Sequence, residues 1–192
     1  KPFSFEGLKR NKVAEAGLVC LEEQVDSLIV ILNEKLEQVF GQDIDQVDAF
    51  AKADDVLYNA VAGIAEIINV AGNVNVDFED VRTVMSSQGK AMMGTAIAQG
   101  ADRAKVAAEQ ATRSPLLEGV NLHGARGILV NISASKNLKL HETQMAMNYI
   151  NSFADDDAEV IWGTAIDESL GDDLRVTLVA TGIDHRSAPR LE

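Results

Sequence analysis

The sequence predicts an α/β fold in three parts: the end of one α/β domain, a long connecting helix, and a small domain with a mixed four-stranded sheet and helices on one face. Three observations predict it. A single helical pattern runs unbroken from Asp45 to Val70. Before it, a helical stretch feeds a continuous apolar run. After Ala91 the order is strand, helix, strand, helix, strand, strand, which builds a small layered domain.

Asn11 to Gln24 places Ala14, Gly17, Leu18 and Leu21 at helical spacing, continued by Val25, and Ser27 to Leu32 is uninterruptedly apolar, so a helix leads into a buried strand. Asn33 to Phe40 is a short helix stopped by Gly41. The long helix carries a stripe of Val47, Phe50, Leu57, Val61, Ile64 and Ile68, and the one position that the stripe skips is Asp54. A carboxylate inside an apolar stripe asks for a reason. A Gly72-Asn73 turn precedes Asn75-Val-Asp77-Phe-Glu-Asp80-Val-Arg-Thr-Val84. Asp77, with Asp80 three residues on and apolar Val81, Val84 and Met85 behind, is a helix N-terminus of the capping-box kind. That helix extends to about Gln88.

The remaining elements follow in turn: a strand over Ala91–Ala98, an alanine-striped helix from Asp102 (Ala104, Ala107, Ala108, Ala111) stopped at Ser114-Pro115, and a strand over Gly127–Ala134. A helix over His141–Phe153 and strands over Glu159–Ile166 and Leu174–Thr181 complete the domain. The divisions are residues 1–44, the remnant of the first domain; 45–70, the central helix; 71–183, the second domain; and 184–192, a polar, frayed tail.

With 192 residues and 46% apolar content the chain buries one good core and part of a second. A formal net charge of −13 repels nucleic acid and anionic lipid, so neither nucleic acid nor direct membrane binding is expected. The lone Cys20 sits in an apolar helical stretch and reads as a buried small hydrophobe, and with no second cysteine the chain has no internal disulfide. No apolar run approaches a membrane span and the start lacks a signal-peptide layout, which points to the cytoplasm. Opening at Lys1-Pro2-Phe3 without Met, the sequence reads as the later portion of something longer.

There is no Gly-x-x-x-x-Gly-Lys-Ser/Thr or Gly-x-Gly-x-x-Gly loop to cradle phosphate, and no Ser, His and acid arrangement for a nucleophile. His123, His141 and His185 are isolated, without metal-ligand spacing. Any enzymology must be completed from outside the chain. On the residues alone, Asp77 and Asp80 are either a helix cap or a pair of acids on one helix face able to orient a water beside a phosphate. Glu6 and Arg10 are a surface i,i+4 ion pair, Asn33 a helix cap and Phe50 a core ring.

Several segments in order, Lys1-Pro-Phe-Ser-Phe-Glu6-Gly, Ser27-Leu-Ile-Val-Ile-Leu-Asn33, Asp48-Ala-Phe50, Asn75-Val-Asp77-Phe-Glu-Asp80-Val-Arg-Thr-Val-Met, Ala91-Met-Met-Gly94, Ser114-Pro-Leu-Leu and Arg175-Val-Thr-Leu-Val-Ala-Thr-Gly182, closely resemble the FtsZ family. The resemblance runs from Lys1 to about Gly182. It implies that residues 1–44 end a Rossmann-like, tubulin-type GTPase domain, whose glycine-rich phosphate signature would lie before Lys1, and that the tail peptide binding other division proteins is absent too.

Carried over by residue, the resemblance implies that Asn75, Asp77 and Asp80 belong to a loop that enters the nucleotide pocket of the next subunit and activates the attacking water. Glu6 and Arg10 match positions at the ribose and phosphate region. Asn33, Phe50 and Asp54 match positions that hold guanine, which would explain the interrupted stripe: a carboxylate accepting from N1–H and the exocyclic amine, with a phenyl ring beside it. The ligand implied is GTP or GDP, with Mg2+ accompanying the nucleotide. The partners implied are the N-terminal portion and further copies joined head to tail in the bacterial division ring, at the septum. The chain departs from the family where Leu32 stands in place of a common Pro and where Val70-Ala71-Gly72-Asn73-Val74 replaces an Arg-Pro-Gly stretch, which predicts less stiff turns.

The reading is therefore the activating, polymer-forming portion of a tubulin-like GTPase, inactive as an isolated chain. The alternative is a small-molecule-binding regulatory domain, because mixed sheets with helices on one face also serve ligand sensors.

Overall fold

The computed structural model describes residues 1–40, 45–70, 74–86, 89–117 and 124–183. The expected stops at Gly41 and Gly72-Asn73, His123, His185 and the tail from Asp184 lie outside them.

After a 3-10 turn at Ser4–Glu6, the elements are α1 (Leu8–Glu22), β1 (Ser27–Ile29), α2 (Asn33–Phe40), α3 (Gln46–Asn69), α4 (Phe78–Met85), β2 (Gly89–Ala98), α5 (Arg103–Thr112), β3 (Gly127–Ala134), α6 (Leu140–Asn151), β4 (Glu159–Ile166) and β5 (Leu174–Ile183). The four expected strands are present, and β1 joins them as a fifth, giving the order β1-β2-β5-β3-β4. β1 pairs parallel to β2, β5 runs antiparallel to both β2 and β3, and β4 lies parallel to β3 on the far edge. Ser27 opposite Gly89 and Ile29 opposite Ala91 are therefore held by the second domain's sheet. The run expected to be strand through Leu32 is a three-residue, half-buried edge strand.

β3 is buried at every position because both faces of the sheet are covered. Ile128, Val130 and Ile132 share a core with Leu174, Val176 and Leu178 of β5 and with the alanines of α5 and Ala146, Met147 and Ile150 of α6. The alanine stripe lets α5 lie almost on the strands: a Cβ on Gly94 of β2 would stand 2.0 Å from the Ala111 carbonyl oxygen. The opposite face, with Leu129, Val179 and Met93, is covered by α3 and α4. So α5 and α6 occupy the one face expected of them, and the connecting helix covers the other.

The face of α3 that does this is not the expected stripe. Its buried residues are Ala53, Val56, Ala60, Gly63 and Ile67, whereas Val47 is 80% exposed and Val61 70% exposed. The expected stripe lies about 100° round the helix from the buried one. Small residues won because they permit close approach: a Cβ on Gly63 would meet Thr177 Cγ2 at 3.0 Å. Asp54 is accordingly exposed.

Cys20 is exposed, and α1 buries none of its residues. The expected buried thiol fails because that helix packs little against the sheet. Among the described residues no helix is long and apolar enough to cross a membrane.

Candidate functional site

The acidic loop is built by α4. Asp77 is extended (φ −82°, ψ 168°), and its Oδ1 accepts a hydrogen bond from the Asp80 backbone N–H at 2.9 Å. That satisfies one of the donors a helix leaves unpaired at its start. The Asp77 carbonyl accepts from Val81 N–H at 3.3 Å. Val76 before the cap and Val81 and Val84 behind it are buried, so α4 is anchored by its apolar side while Asn75, Asp77 and Asp80 stay exposed. Two carboxylates and an amide thus face outward from a rigid helix start.

The other candidate residues gather at a different place. Glu6 Oε1 accepts from Phe3 N–H at 2.9 Å and its Oε2 from Arg10 Nη1 at 2.5 Å. The Arg10 guanidinium, followed by the Phe3 amide, holds the Glu6 carboxyl below its ordinary range. Ser4 N–H donates to Glu34 Oε2, and Asn33 N–H donates to the Lys1 carbonyl at 3.1 Å, so the N-terminal segment lies along the start of α2. Phe3 meets Phe50 of α3 edge to face, with ring centroids 5.5 Å apart. Asp54 is exposed one turn further along α3. Glu6, Asn33 and Phe50 are thereby linked through Phe3, Ser4 and Lys1, with Phe50 39% exposed.

These two groups do not meet. About 28 Å of helical rise separates Phe50 near one end of α3 from Asn69 at the other, just before the acidic loop. One chain places the two groups of candidate residues at opposite ends of α3.

Sequence reasoning missed what holds the loop. Val74 pairs with the open edge of β4: its N–H donates to Thr164 Oγ1 at 3.1 Å and its carbonyl accepts from Thr164 N–H at 3.1 Å. It also missed Glu66, which binds Asn131, Ser133 and Arg175 beneath α3. A lone carboxylate between Ile64 and Ile68 was the available signal, of the same kind as Asp54.

Residues 89–184 match the profile of the FtsZ family, C-terminal domain. The chain belongs to the FtsZ family. It is 56% identical over 187 residues to the cell division protein FtsZ of Azotobacter vinelandii, covering 97% of this chain and 48% of that protein. It is 55% identical over 186 residues to that of Pseudomonas aeruginosa, covering 97% of this chain and 47% of that one. The chain thus spans about half the length of the curated relatives it matches. Among solved structures, it superposes on the empty FtsZ dimer of M. jannaschii with a TM-score of 0.91 at 42% identity, covering 96% of this chain and 53% of that one. The GDP-bound CetZ1 monomer of Haloferax volcanii gives a TM-score of 0.76 at 16% identity, covering 96% of this chain and 54% of that one, which shows the fold alone. The fold is tubulin-like, as the resemblance implied.

Proposed function

We propose that this chain is the activating, polymer-forming part of a GTPase whose subunits join head to tail into a division filament, in the cytoplasm at the septum. The observation that carries the reading is the separation of the half-sites along α3. A base- and ribose-facing cluster at one end and an acidic loop at the other complete a site only when one subunit's loop meets the next subunit's cluster.

Asp54 accepts from the guanine N1–H and amine, with Phe50 beside the ring and Asn33 at the base edge, while Glu6 and Arg10 serve the ribose and phosphate side. Phe50 and Asp54 are both exposed, so ring and carboxylate are open to a planar donor. Across the interface, Asp77 spends one oxygen on the helix cap, leaving the second, with Asp80 and Asn75, to orient a water in line with the γ-phosphate. The water oxygen bonds to phosphorus, the bond to the β-phosphate oxygen breaks, and a carboxylate takes the proton. Hydrolysis then reports subunit contact. Mg2+ would accompany the phosphates of the nucleotide. The exposed apolar stripe of α3 (Val47, Leu57, Val61) is the surface against which the N-terminal portion would pack. Without that portion the chain holds no phosphate loop and is expected to be inactive.

The test uses the full-length protein. Asn caps a helix about as well as Asp, so Asp77→Asn should keep the folding stability, while Asp77→Ala should cost ~1 kcal/mol. Both should lower GTP turnover roughly 10²- to 10⁴-fold with assembly retained. Near-normal phosphate release by Asp77→Asn would reduce Asp77 to a helix cap.

A further inference from the structure

We propose that Gly163 and Thr164 of β4 are positioning residues for hydrolysis, because they fix the register of the acidic loop from behind. The proposal deepens the reading above and rests on it.

Thr164 is buried, and it grips both polar groups of Val74, three residues before the Asp77 cap. Its hydroxyl accepts the Val74 N–H, and its own N–H donates to the Val74 carbonyl. Val74 therefore sits on the edge of the sheet as a single paired residue, although the sequence there is loop. Gly163 supplies the room. A Cβ at that position would lie 2.9 Å from Ile67 Cγ2 of α3, 3.2 Å from Val76 Cγ2 and 3.4 Å from the Val74 carbonyl oxygen. A methyl group there would press on Ile67 of α3 and on Val76 of the loop, so glycine lets helix and loop approach β4 closely. Val76 is buried there, and Asp77 follows it. The cap fixes the loop's downstream end and the Gly163-Thr164 pair fixes its upstream end, so the exposed carboxylates hang from a backbone held on both sides. A water aligned by those carboxylates is misaimed if the backbone shifts, and misplacement by about 1 Å can cost ~10²-fold in rate.

The experiment compares Thr164→Val, Thr164→Ser, Gly163→Ala and Asp77→Asn in the full-length protein. It measures GTP turnover per assembled subunit at saturating GTP, the assembled fraction by sedimentation, GTP affinity, and thermal midpoint. Thr164→Val keeps the branched shape and loses the acceptor. It should lower turnover per assembled subunit ~10- to 100-fold while GTP affinity and assembled fraction hold. Thr164→Ser keeps the hydroxyl and should restore turnover. Gly163→Ala leaves the hydrogen-bonding groups intact but presses on Ile67 and Val76, and should show the same drop, which covers the case of Thr164→Val failing to fold. If Thr164→Val and Gly163→Ala lower only the midpoint and the assembled fraction, with turnover per assembled subunit at the wild-type value, the pair is merely structural and the inference falls. With Asp77→Asn impaired in the same series, that result leaves the hydrolytic reading standing. Normal turnover by Asp77→Asn overturns both.

Discussion

Glu66 of α3 and Arg175 of β5, 109 residues apart, meet beneath the connecting helix, where Arg175 Nη2 donates to Glu66 Oε1 and Oε2 at 3.1 and 3.0 Å. Glu66 Oε2 also accepts from Asn131 Nδ2 at 3.1 Å and Ser133 Oγ at 3.0 Å. One carboxylate therefore binds α3 to β3 and β5 together, in a surround only partly open to water. Because Phe50 and the acidic loop flank opposite ends of α3, this clamp sets where both groups of candidate residues sit relative to the sheet.

Glu66→Ala should leave Arg175 with Asp167 alone, 3.5 Å away, and deprive Asn131 and Ser133 of their acceptor. A loss of ~2–4 kcal/mol is expected, read from the urea midpoint. Glu66→Gln, which keeps an acceptor oxygen, should lose less. Equal losses would show that the charge, and not the retained acceptor oxygen, carries the whole effect.

Two glycines should respond in different ways to a single methyl group. At Gly94 the new Cβ would run into backbone, the Ala111 carbonyl oxygen, which cannot move without shifting α5. Gly94→Ala should cost roughly 3 kcal/mol or more, by denaturant melt. At Gly63 the obstacle is the Thr177 methyl at 3.0 Å, and Ala favours the helix, so Gly63→Ala should be near neutral. With Thr177→Ser in place the same change should stabilise by up to about 1 kcal/mol. Gly94→Ala at wild-type stability would contradict the packing of α5 on β2.

Arg103 and Glu142 predict the acid limb. Arg103 Nε donates to Glu142 Oε1 at 2.7 Å and Nη2 to Oε2 at 3.1 Å, while Lys139 N–H donates to Oε2 at 2.8 Å. The Arg103 guanidinium, aided by the Lys139 amide and opposed by burial, holds the Glu142 carboxyl below its ordinary range. A depressed carboxyl contributes stability above its unfolded-state value, ~4.3, and loses it as pH falls through the lower folded value. Glu142→Gln should therefore lower the thermal midpoint most at neutral pH, with the deficit shrinking on acidification. A deficit independent of pH down to the acid transition would exclude a role for the charge.

What depends on near neighbours is legible in the order of residues alone. The order of helices and strands from Ala91 on follows from hydrophobic period, and Asp77 as the cap of α4 follows from the chemistry of a helix start. The motif segments likewise carried the family. Tertiary structure decided whatever depended on a distant partner. α3 carries two apolar stripes, and periodicity cannot say which one meets the sheet. The small residues Ala53, Ala60 and Gly63 won because close packing on Thr177 rewards them, and that turned Val47 and Val61 outward. β1 became a strand of the second domain's sheet by pairing with β2 some 60 residues later. Cys20 is exposed because, among the described residues, α1 packs little against the sheet and buries none of its own residues. The two groups of candidate residues flank a stretch of α3 that rises about 28 Å, and Val74 is held by Thr164 across 90 residues of sequence. Such long-range pairings depend on the fold closing, and no local pattern records them.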